Sequence, residues 1–344
     1  MIRFECDYAE GMHPRILEKM IATNMDQTIG YSEDPYCDRA RDLIRRACGR
    51  EDSDVHFLVG GTQTNLTVIA SVLRPHQGVL CASSGHLNVH ETGAIEATGH
   101  KVIVLPSEDG KITAQQIQNA YDSHWADATH EHIVQPGMVY ISQPTENGTA
   151  YTKEELEAIN KVCRACHLPL FIDGARLGYA LAMEDNDLTL QDMTNLADIF
   201  YIGGTKVGAM MGEAVVIVNP ALKQDFRYII KQRGGMLAKG RFLGIQFETL
   251  FADGLYFEVS KHAVGLAMQI RRAFEKKGIS MRYDSKTNQQ FPILPNEMME
   301  KLAEKYSFSF WEKVDESHTA VRFCTSWATK EENVMELLGD IEKL

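Results

Sequence analysis

Residues 168–176 read LPLFIDGAR, and residues 199–208 read IFYIGGTKVG. Each stretch contains an uninterrupted apolar run that leads into glycines and charged side chains. Uninterrupted apolar runs are typical of strands that are covered on both faces, as in a parallel sheet. Because ligands approach such sheets at the carboxyl ends of the strands, both stretches predict a buried strand that ends at a ligand site.

The same apolar pattern recurs along the first two thirds of the chain. Seven runs share it: residues 55–59, 79–81, 102–105, 138–141, 170–172, 199–202 and 214–218. Helical patterns separate the runs, and the one that starts after Thr152 has Glu155 at its third position, which is a capping box. Strands that alternate with helices predict a doubly wound, mostly parallel α/β sheet.

The rhythm changes after residue 245. A long helical stretch is followed by a proline-marked segment, a strand at residues 319–324 and a closing helix. This order predicts a separate α+β domain of roughly a hundred residues. We therefore divide the chain into an N-terminal segment (residues 1–20), a large α/β domain (residues 21–245) and a small C-terminal α+β domain (residues 246–344).

Composition and charge argue against several classes of function. The formal net charge of −12 is spread along the chain without a basic block, which argues against nucleic-acid binding. No stretch approaches the roughly 18 apolar residues of a membrane-spanning helix, and the N-terminus lacks the pattern of a signal peptide. The 7 cysteines are scattered, as in a reducing compartment, and no histidine cluster has the spacing of a standard zinc site. We therefore expect a cytoplasmic protein without nucleic-acid, membrane or metal partners.

Lys206 and Asp173 each follow a predicted buried strand. A lysine enclosed there by backbone has a lowered pKa, which favours Schiff-base chemistry. A carboxylate at the end of a neighbouring strand can pair with the protonated nitrogen of a pyridine ring and keep that ring electron-withdrawing. Taken alone, Lys206 could be a solvated loop lysine and Asp173 a helix cap, and both are common. The two in succession are rarer than either alone.

A third segment, residues 59–65, leads from a strand into a helix and reads VGGTQTN. Backbone N–H groups at Gly61, Thr62 and Gln63, together with threonine hydroxyls, suit a phosphate group. The spacing matches neither a Walker nor a Rossmann loop, so a plain glycine turn is the alternative.

In this order, residues 60–65 (GGTQTN), 173–176 (DGAR) and 205–206 (TK) resemble the threonine aldolase branch of the β-eliminating lyase family. The family belongs to the fold-type I pyridoxal-phosphate enzymes. The likeness runs nearly end to end, from residues 7–14 to residues 322–327. It implies a large domain with a mostly parallel, seven-stranded sheet between helices, and pyridoxal 5′-phosphate as the cofactor.

The resemblance also implies an activity. The expected reaction cleaves L-threonine, L-allo-threonine or a related β-hydroxy-α-amino acid to glycine and an aldehyde. The alternatives are a β-eliminating lyase or an aminotransferase acting on another small amino acid, since both use the same lysine and aspartate. A non-catalytic protein that binds the cofactor is a further alternative.

Residues at matching positions acquire roles from the resemblance. Lys206 attaches the cofactor, Asp173 pairs with its ring nitrogen, and His86 stacks on the ring with a pKa that suits proton transfer. The implied cofactor-binding set is Gly61, Thr62, Gln63, His86, Asp173, Arg176, Thr205 and Lys206. A surface-turn role is the alternative for His86, and His90 is the second candidate for the stacking position.

Substrate binding is implied for Asp7, Tyr31, Arg176 and Arg322. The arginines resemble the family's clamp for the α-carboxylate, which a planar guanidinium binds through two parallel hydrogen bonds. Arg322 interrupts an apolar strand, so its charge needs a partner, and a structural acid is the alternative to a substrate. Tyr31 resembles a tyrosine that reaches the site of a neighbouring subunit, which implies a homodimer or homotetramer; simple packing is the alternative.

The chain departs from the family just before Asn147 and Gly148. The family often has a histidine there, and this chain has Glu146. A buried carboxylate with a raised pKa can remove the proton of a β-hydroxyl group. The predicted catalytic set is therefore Lys206, His86, Asp173 and Glu146. The base that takes the β-hydroxyl proton is Glu146, His86 or a water molecule.

Overall fold

The computed structural model of the protein describes residues 1–344. Its strands are β1 (Ile2–Arg3), β2 (Asp54–Leu58), β3 (Gln77–Ala82), β4 (Lys101–Leu105), β5 (Gln135–Ser142), β6 (Leu170–Asp173), β7 (Ile199–Gly203), β8 (Glu213–Ile217), β9 (Gln289–Gln290), β10 (Ile293–Pro295), β11 (Tyr306–Ser307), β12 (Ser309–Lys313) and β13 (His318–Cys324). Its α-helices are α1 (Pro14–Ala22), α2 (Pro35–Cys48), α3 (Gly61–Val72), α4 (His86–Val89), α5 (Ala114–Ala126), α6 (Lys153–Ala165), α7 (Leu177–Leu181), α8 (Leu190–Leu196), α9 (Phe226–Gln232), α10 (Arg241–Ala252), α11 (Leu255–Lys276), α12 (Asn296–Ala303) and α13 (Glu331–Lys343). None of these helices is long and apolar enough to cross a membrane.

A seven-stranded sheet lies at the centre of the large domain, in the order β2-β8-β7-β6-β5-β3-β4. The pairs β3–β4, β3–β5, β5–β6 and β6–β7 are parallel. Only β8 runs the other way, because it is antiparallel to both of its neighbours, β2 and β7. Six strands therefore end at one edge of the sheet, and β8 begins at that edge. The predicted mostly parallel α/β sheet is confirmed.

The apolar runs form strands because helices cover both faces of the sheet. In β7, Phe200 and Ile202 pack into one apolar cluster, whereas Ile199 and Tyr201 pack into a second cluster on the other face. This alternation is the two-residue period of a strand. Every residue of β6, β7 and β8 is buried. The capping box at Thr152 is also present, with hydrogen bonds in both directions between it and Glu155 at the start of α6.

The C-terminal residues form a smaller sheet with a separate core. β10, β13 and β12 form an antiparallel sheet, and β9 pairs with the end of β13. The second half of α11 packs into the core of this domain, whereas its first half packs into the core of the large domain. The N-terminus joins the small domain, because β1 pairs with β11. The separate α+β domain is confirmed, and the boundary at residue 245 stays a prediction because α11 contributes to both cores.

Candidate active site

The sheet edge where the parallel strands end holds the residues that the sequence singles out. Asp173 is the last residue of β6, and Lys206 lies in the turn after β7. His86 and Glu146 follow β3 and β5 in the same way. All four line one cavity of about 170 Å³. The fold therefore brings together residues that are far apart in the chain, because parallel strands end at a common edge.

Asp173 is a buried carboxylate surrounded by hydrogen-bond donors. The hydroxyls of Tyr140 and Tyr201 donate to it at 2.6 and 2.5 Å, the N–H of Ala175 at 2.9 Å and Nδ2 of Asn65 at 3.1 Å. Burial alone would raise the pKa of Asp173, but the positive charge of His86 and these donors lower it below its usual value. The carboxylate is therefore ionised and can pair with a cation.

A second buried carboxylate, Glu91, orients His86. Glu91 Oε1 lies 2.7 Å from His86 Nδ1 and accepts a hydrogen bond from Asn65 Nδ2 at 2.7 Å. Because Oε1 of Glu91 is an acceptor, Nδ1 of His86 carries a proton and Nε2 remains for the cavity. Burial lowers the pKa of His86, but the hydrogen bond with Glu91 and the charges of Asp173 and Glu146 raise it overall. The protonated form is therefore more favoured than in a free imidazole.

Glu146 lies beside His86 and is half-buried. Its Oε1 accepts hydrogen bonds from Ser142 Oγ at 2.8 Å and from the backbone N–H of His86 at 3.1 Å. Burial and the negative charge of Asp173 raise the pKa of Glu146 above its usual value. A carboxylate with a raised pKa is a better proton acceptor near neutral pH than an ordinary one.

Lys206 is enclosed in the turn after β7. Its carbonyl oxygen accepts a hydrogen bond from the Tyr179 hydroxyl at 2.5 Å, which fixes the turn against α7. Burial and the positive charge of Arg176 lower the pKa of Lys206. A lowered pKa increases the fraction of neutral, nucleophilic amine.

The start of α3 forms another wall of the same cavity. The helix has a glycine at its N-cap without a side-chain cap, and Gly61 and Thr62 line the cavity. An uncapped helix start presents backbone N–H groups to an anion. The side chain of Gln63 is engaged elsewhere: Oε1 accepts from the N–H of Val59 and Nε2 donates to the carbonyl of Arg233, both at 3.2 Å. The main chain of Gln63 is what remains for a ligand.

Arg176 is held by Asp7. The two side chains form a pair of hydrogen bonds, Nε to Oδ2 at 2.6 Å and Nη2 to Oδ1 at 3.0 Å, and Asn288 Nδ2 donates to Asp7 at 2.9 Å. Burial would raise the pKa of Asp7, but Arg176 and Lys206 lower it to about 2. Asp7 lines neither this cavity nor the second one described next. In this chain, Asp7 orients the arginine.

A second cavity, of about 300 Å³, adjoins the first. Four residues line both cavities: His86, Glu146, Arg176 and Lys206. Arg322 lines the second cavity together with Tyr8 and Trp311. Its Nη1 donates to Gln289 at 3.2 Å and its Nη2 to the carbonyl of Glu5 at 3.1 Å, whereas its buried Nε has no hydrogen-bond partner. Arg322 therefore has no acidic partner and retains a free donor.

Tyr31 lies apart from both cavities of its own chain. Its side chain is 45% exposed, and the ammonium of Lys231 lies 4.9 Å from the centroid of its ring. The predicted position of Tyr31 in the site of a neighbouring subunit stays a prediction.

Sequence reasoning missed several residues of the site. The largest group surrounds Asp173 and His86: Asn65, Glu91, Tyr140 and Tyr201. The tyrosines are hidden within apolar runs, where nothing in the sequence separates a packing tyrosine from a hydrogen-bonding one. Glu213, which lines the first cavity, did leave a signal. It is an acidic residue at the start of a buried strand, and such a charge needs an explanation.

Comparison with known proteins assigns the family. A family model described as β-eliminating lyase matches residues 6–305. The chain belongs to the β-eliminating lyase family. A low specificity L-threonine aldolase from Pseudomonas sp. is 30% identical to this chain. The match covers 98% of this chain and 96% of that protein. A solved structure of Leishmania major threonine aldolase is 46% identical, covers 100% of this chain and 99% of its own, and has a TM-score of 0.97.

The fold extends beyond the β-eliminating lyase family. The histidinol-phosphate aminotransferase of Clostridium acetobutylicum has a TM-score of 0.74 at 14% identity, over 100% of this chain and 98% of its own. This likeness shows a shared fold, that of the fold-type I enzymes. The expected family and fold class are both confirmed.

As a member of the β-eliminating lyase family the protein is a lyase, and the family implies pyridoxal 5′-phosphate as its cofactor. The residues present fit that group. An ionised carboxylate (Asp173), an amine with a lowered pKa (Lys206) and an uncapped helix start face a common cavity. A Cβ atom added to Gly61 would lie 3.2 Å from the Tyr201 hydroxyl, so a larger side chain would crowd the cavity wall.

Proposed function

We propose that this member of the β-eliminating lyase family cleaves a β-hydroxy-α-amino acid, with L-threonine and L-allo-threonine as the first candidates, to glycine and an aldehyde. One observation carries the proposal. Glu146, a half-buried carboxylate with a raised pKa, lines both the first and the second cavity together with Lys206. A proton acceptor between the lysine and the outer cavity suits a substrate with a hydroxyl on Cβ. The names of the relatives from Pseudomonas sp. and Leishmania major support the same reaction.

Pyridoxal 5′-phosphate, when bound, supplies a ring that accepts the electron pair left on Cα. Lys206 would attach to it, and the ionised Asp173 would keep the proton on the ring nitrogen. The N–H groups of Gly61 and Thr62, with the hydroxyl of Thr205, would hold the phosphate. Each of these residues lines the first cavity.

Arg322 and Arg176 would bind the α-carboxylate of the substrate. Arg322 has an unpaired, buried Nε, and a buried donor without a partner is costly. Its Nη1 and Nη2 atoms also carry N–H donors beyond those used for Gln289 and Glu5, and these are available to a carboxylate in the second cavity. Arg176 already binds Asp7. A guanidinium has five N–H donors, so this pairing leaves donors for a substrate and fixes the direction in which they point.

Glu146 would take the proton of the β-hydroxyl group as the Cα–Cβ bond breaks. The hydroxyl oxygen becomes the carbonyl oxygen of the aldehyde, and the electron pair of the broken bond remains with Cα. A proton delivered to Cα then gives glycine. His86 is less suited to be the base, because Glu91 favours its protonated form. An imidazolium at that position is suited to hold or donate a proton.

Product analysis tests the proposal. With L-threonine, L-allo-threonine and other β-hydroxy-α-amino acids as substrates, we expect aldehyde and glycine in equal amounts. A keto acid released with free ammonia would indicate β-elimination instead. A keto acid that forms only with an amino-group acceptor would indicate transamination. A protein that binds the cofactor and converts none of these substrates would be a non-catalytic binder.

A further inference from the structure

Glu213 lies between two segments that the proposed function assigns to the phosphate of the cofactor. It is the first residue of β8, and its Cα partners are Leu58 of β2 and Gly203 of β7. The end of β2 leads within three residues to Gly61 at the start of α3. The end of β7 leads to Thr205. Because β8 is antiparallel to both neighbours, its first residue lies at the edge where those strands end.

The carboxyl group of Glu213 has neutral donors as partners. Oε2 accepts a hydrogen bond from the N–H of Gly204 at 3.2 Å, and Oε1 accepts one from the Thr205 hydroxyl at 2.9 Å. The residue is 4% exposed, and neither partner carries a charge that could compensate an ionised carboxylate. Burial of an ion whose hydrogen-bond partners are all neutral is costly, so burial favours the neutral acid here.

Four titratable groups on neighbouring elements interact electrostatically with Glu213. They are Lys206 in the turn after β7, Asp173 at the end of β6, Tyr201 in β7 and Tyr256 in α11. Lys206 is the only cation among them, and the charge of Asp173 opposes ionisation. Burial, with a smaller contribution from Asp173, raises the pKa of Glu213 to about 8 although Lys206 opposes this shift.

We propose that Glu213 is the protonated, neutral acid of the phosphate site, and that loss of its proton weakens the binding of the phosphate group. This inference rests on the proposed function, since it requires pyridoxal 5′-phosphate in the first cavity. A phosphate ester carries a charge of about −1.5 to −2 at pH 7. Two anions that share an enclosed site cannot both remain ionised without a large cost. A protonated carboxyl group avoids that repulsion, and its O–H can donate to Oγ1 of Thr205, which leaves the Thr205 proton for the phosphate.

The affinity of the protein for the cofactor therefore depends on pH. At pH values below the pKa of Glu213, the carboxyl group is protonated and the phosphate binds with its full affinity. As the pH rises through that pKa, the carboxylate forms and repels the phosphate. Glu213 is therefore a positioning residue that sets the alkaline limit of cofactor retention.

The test compares two ligands that differ only in the phosphate. Dissociation constants of pyridoxal 5′-phosphate and of pyridoxal are measured by absorbance titration of the full chain at about pH 7 and about pH 9. Both ligands use the aldehyde and Lys206, so the ratio of the two constants isolates the phosphate. With a pKa of about 8, the protonated fraction of Glu213 falls about tenfold over this range. We expect the advantage of the phosphorylated ligand to fall by about the same factor in the unaltered protein.

Three variants make the result specific. Glu213→Gln carries a permanently neutral side chain of the same shape, so its ratio should stay constant between the two pH values. Glu213→Asp retains an ionisable group, so its ratio should fall with pH. Glu248→Gln is the matched control, a buried glutamate in α10 that pairs with Arg39 at 2.7 Å, away from the site. Its ratio should fall as in the unaltered protein. Circular dichroism and thermal unfolding verify that each variant is folded.

Two outcomes would overturn the inference: a ratio that does not change with pH in the unaltered protein, or an equal fall in Glu213→Gln. Either result leaves the proposed function intact if borohydride still traps pyridoxal 5′-phosphate on Lys206. If neither ligand binds and no adduct forms, the proposed function fails and this inference fails with it.

Discussion

Replacement of Glu146 by glutamine removes the proton acceptor but keeps the size and the hydrogen bonds of the side chain. The amide oxygen can still accept the hydrogen bonds that Ser142 Oγ and the backbone N–H of His86 donate to Oε1 at 2.8 and 3.1 Å. The side chain therefore keeps its anchoring, and only its ability to take a proton is lost. A general base contributes about 10²–10⁴-fold to a rate. We expect Glu146→Gln to lower kcat by that factor, equivalent to about 3–5 kcal/mol of barrier, with little change in KM.

The pH profile gives the same variant a second signature. Glu146 acts as a base only when ionised, so kcat should fall as the pH falls through its raised pKa. Glu146→Gln should lack this acidic limb. Ser142→Ala is the matched control, because the Ser142 hydroxyl lowers the pKa of Glu146 and its loss should move the limb to higher pH.

Initial rates of aldehyde release, coupled to an aldehyde reductase across the pH range, provide the assay. Binding of glycine, followed by the change in cofactor absorbance, verifies that the variant still forms the ligand complex. The reasoning is refuted if Glu146→Gln keeps most of its activity and its acidic limb while His86→Asn loses both. The base would then be His86.

Three further predictions concern other residues of the site. Asp173→Asn should lower kcat by several orders of magnitude and affect KM much less, because the pairing with the ring nitrogen acts mainly in the transition state; a near-normal kcat would mean that another group holds the ring. Glu91→Gln replaces the carboxylate that accepts a hydrogen bond from His86 Nδ1 by a neutral amide and should lower the imidazole pKa, measured by NMR titration; an unchanged value would mean that Glu91 does not raise the pKa of His86. Mixing inactive Lys206→Ala protein with an inactive Tyr31→Phe variant should restore partial activity if subunits share sites, whereas an active monomer in light scattering would exclude shared sites.

The sequence predicts the sheet and most of its edge, for identifiable reasons. Long apolar runs indicate strands that are buried on both faces of the sheet. Charged residues just after such runs, as at Asp173 and Lys206, indicate the active site. The pairing of Asp7 with Arg176 was not predictable, because 169 residues separate them and each alone fits several roles. Glu213 was not predicted because it begins a strand, whereas the charged residues that the sequence singles out follow strand ends. The antiparallel direction of β8, which places Glu213 at the site, is a property of the folded sheet.

Attachment of the cofactor to Lys206 is the central claim, and one measurement tests it most directly. Purified protein is incubated with pyridoxal 5′-phosphate, reduced with borohydride, digested and mapped by mass spectrometry. The half-buried amine with a lowered pKa in the turn after β7 predicts one pyridoxyl adduct, on Lys206, and none in Lys206→Ala. An adduct on any other lysine, or an unchanged adduct in Lys206→Ala, would contradict the account.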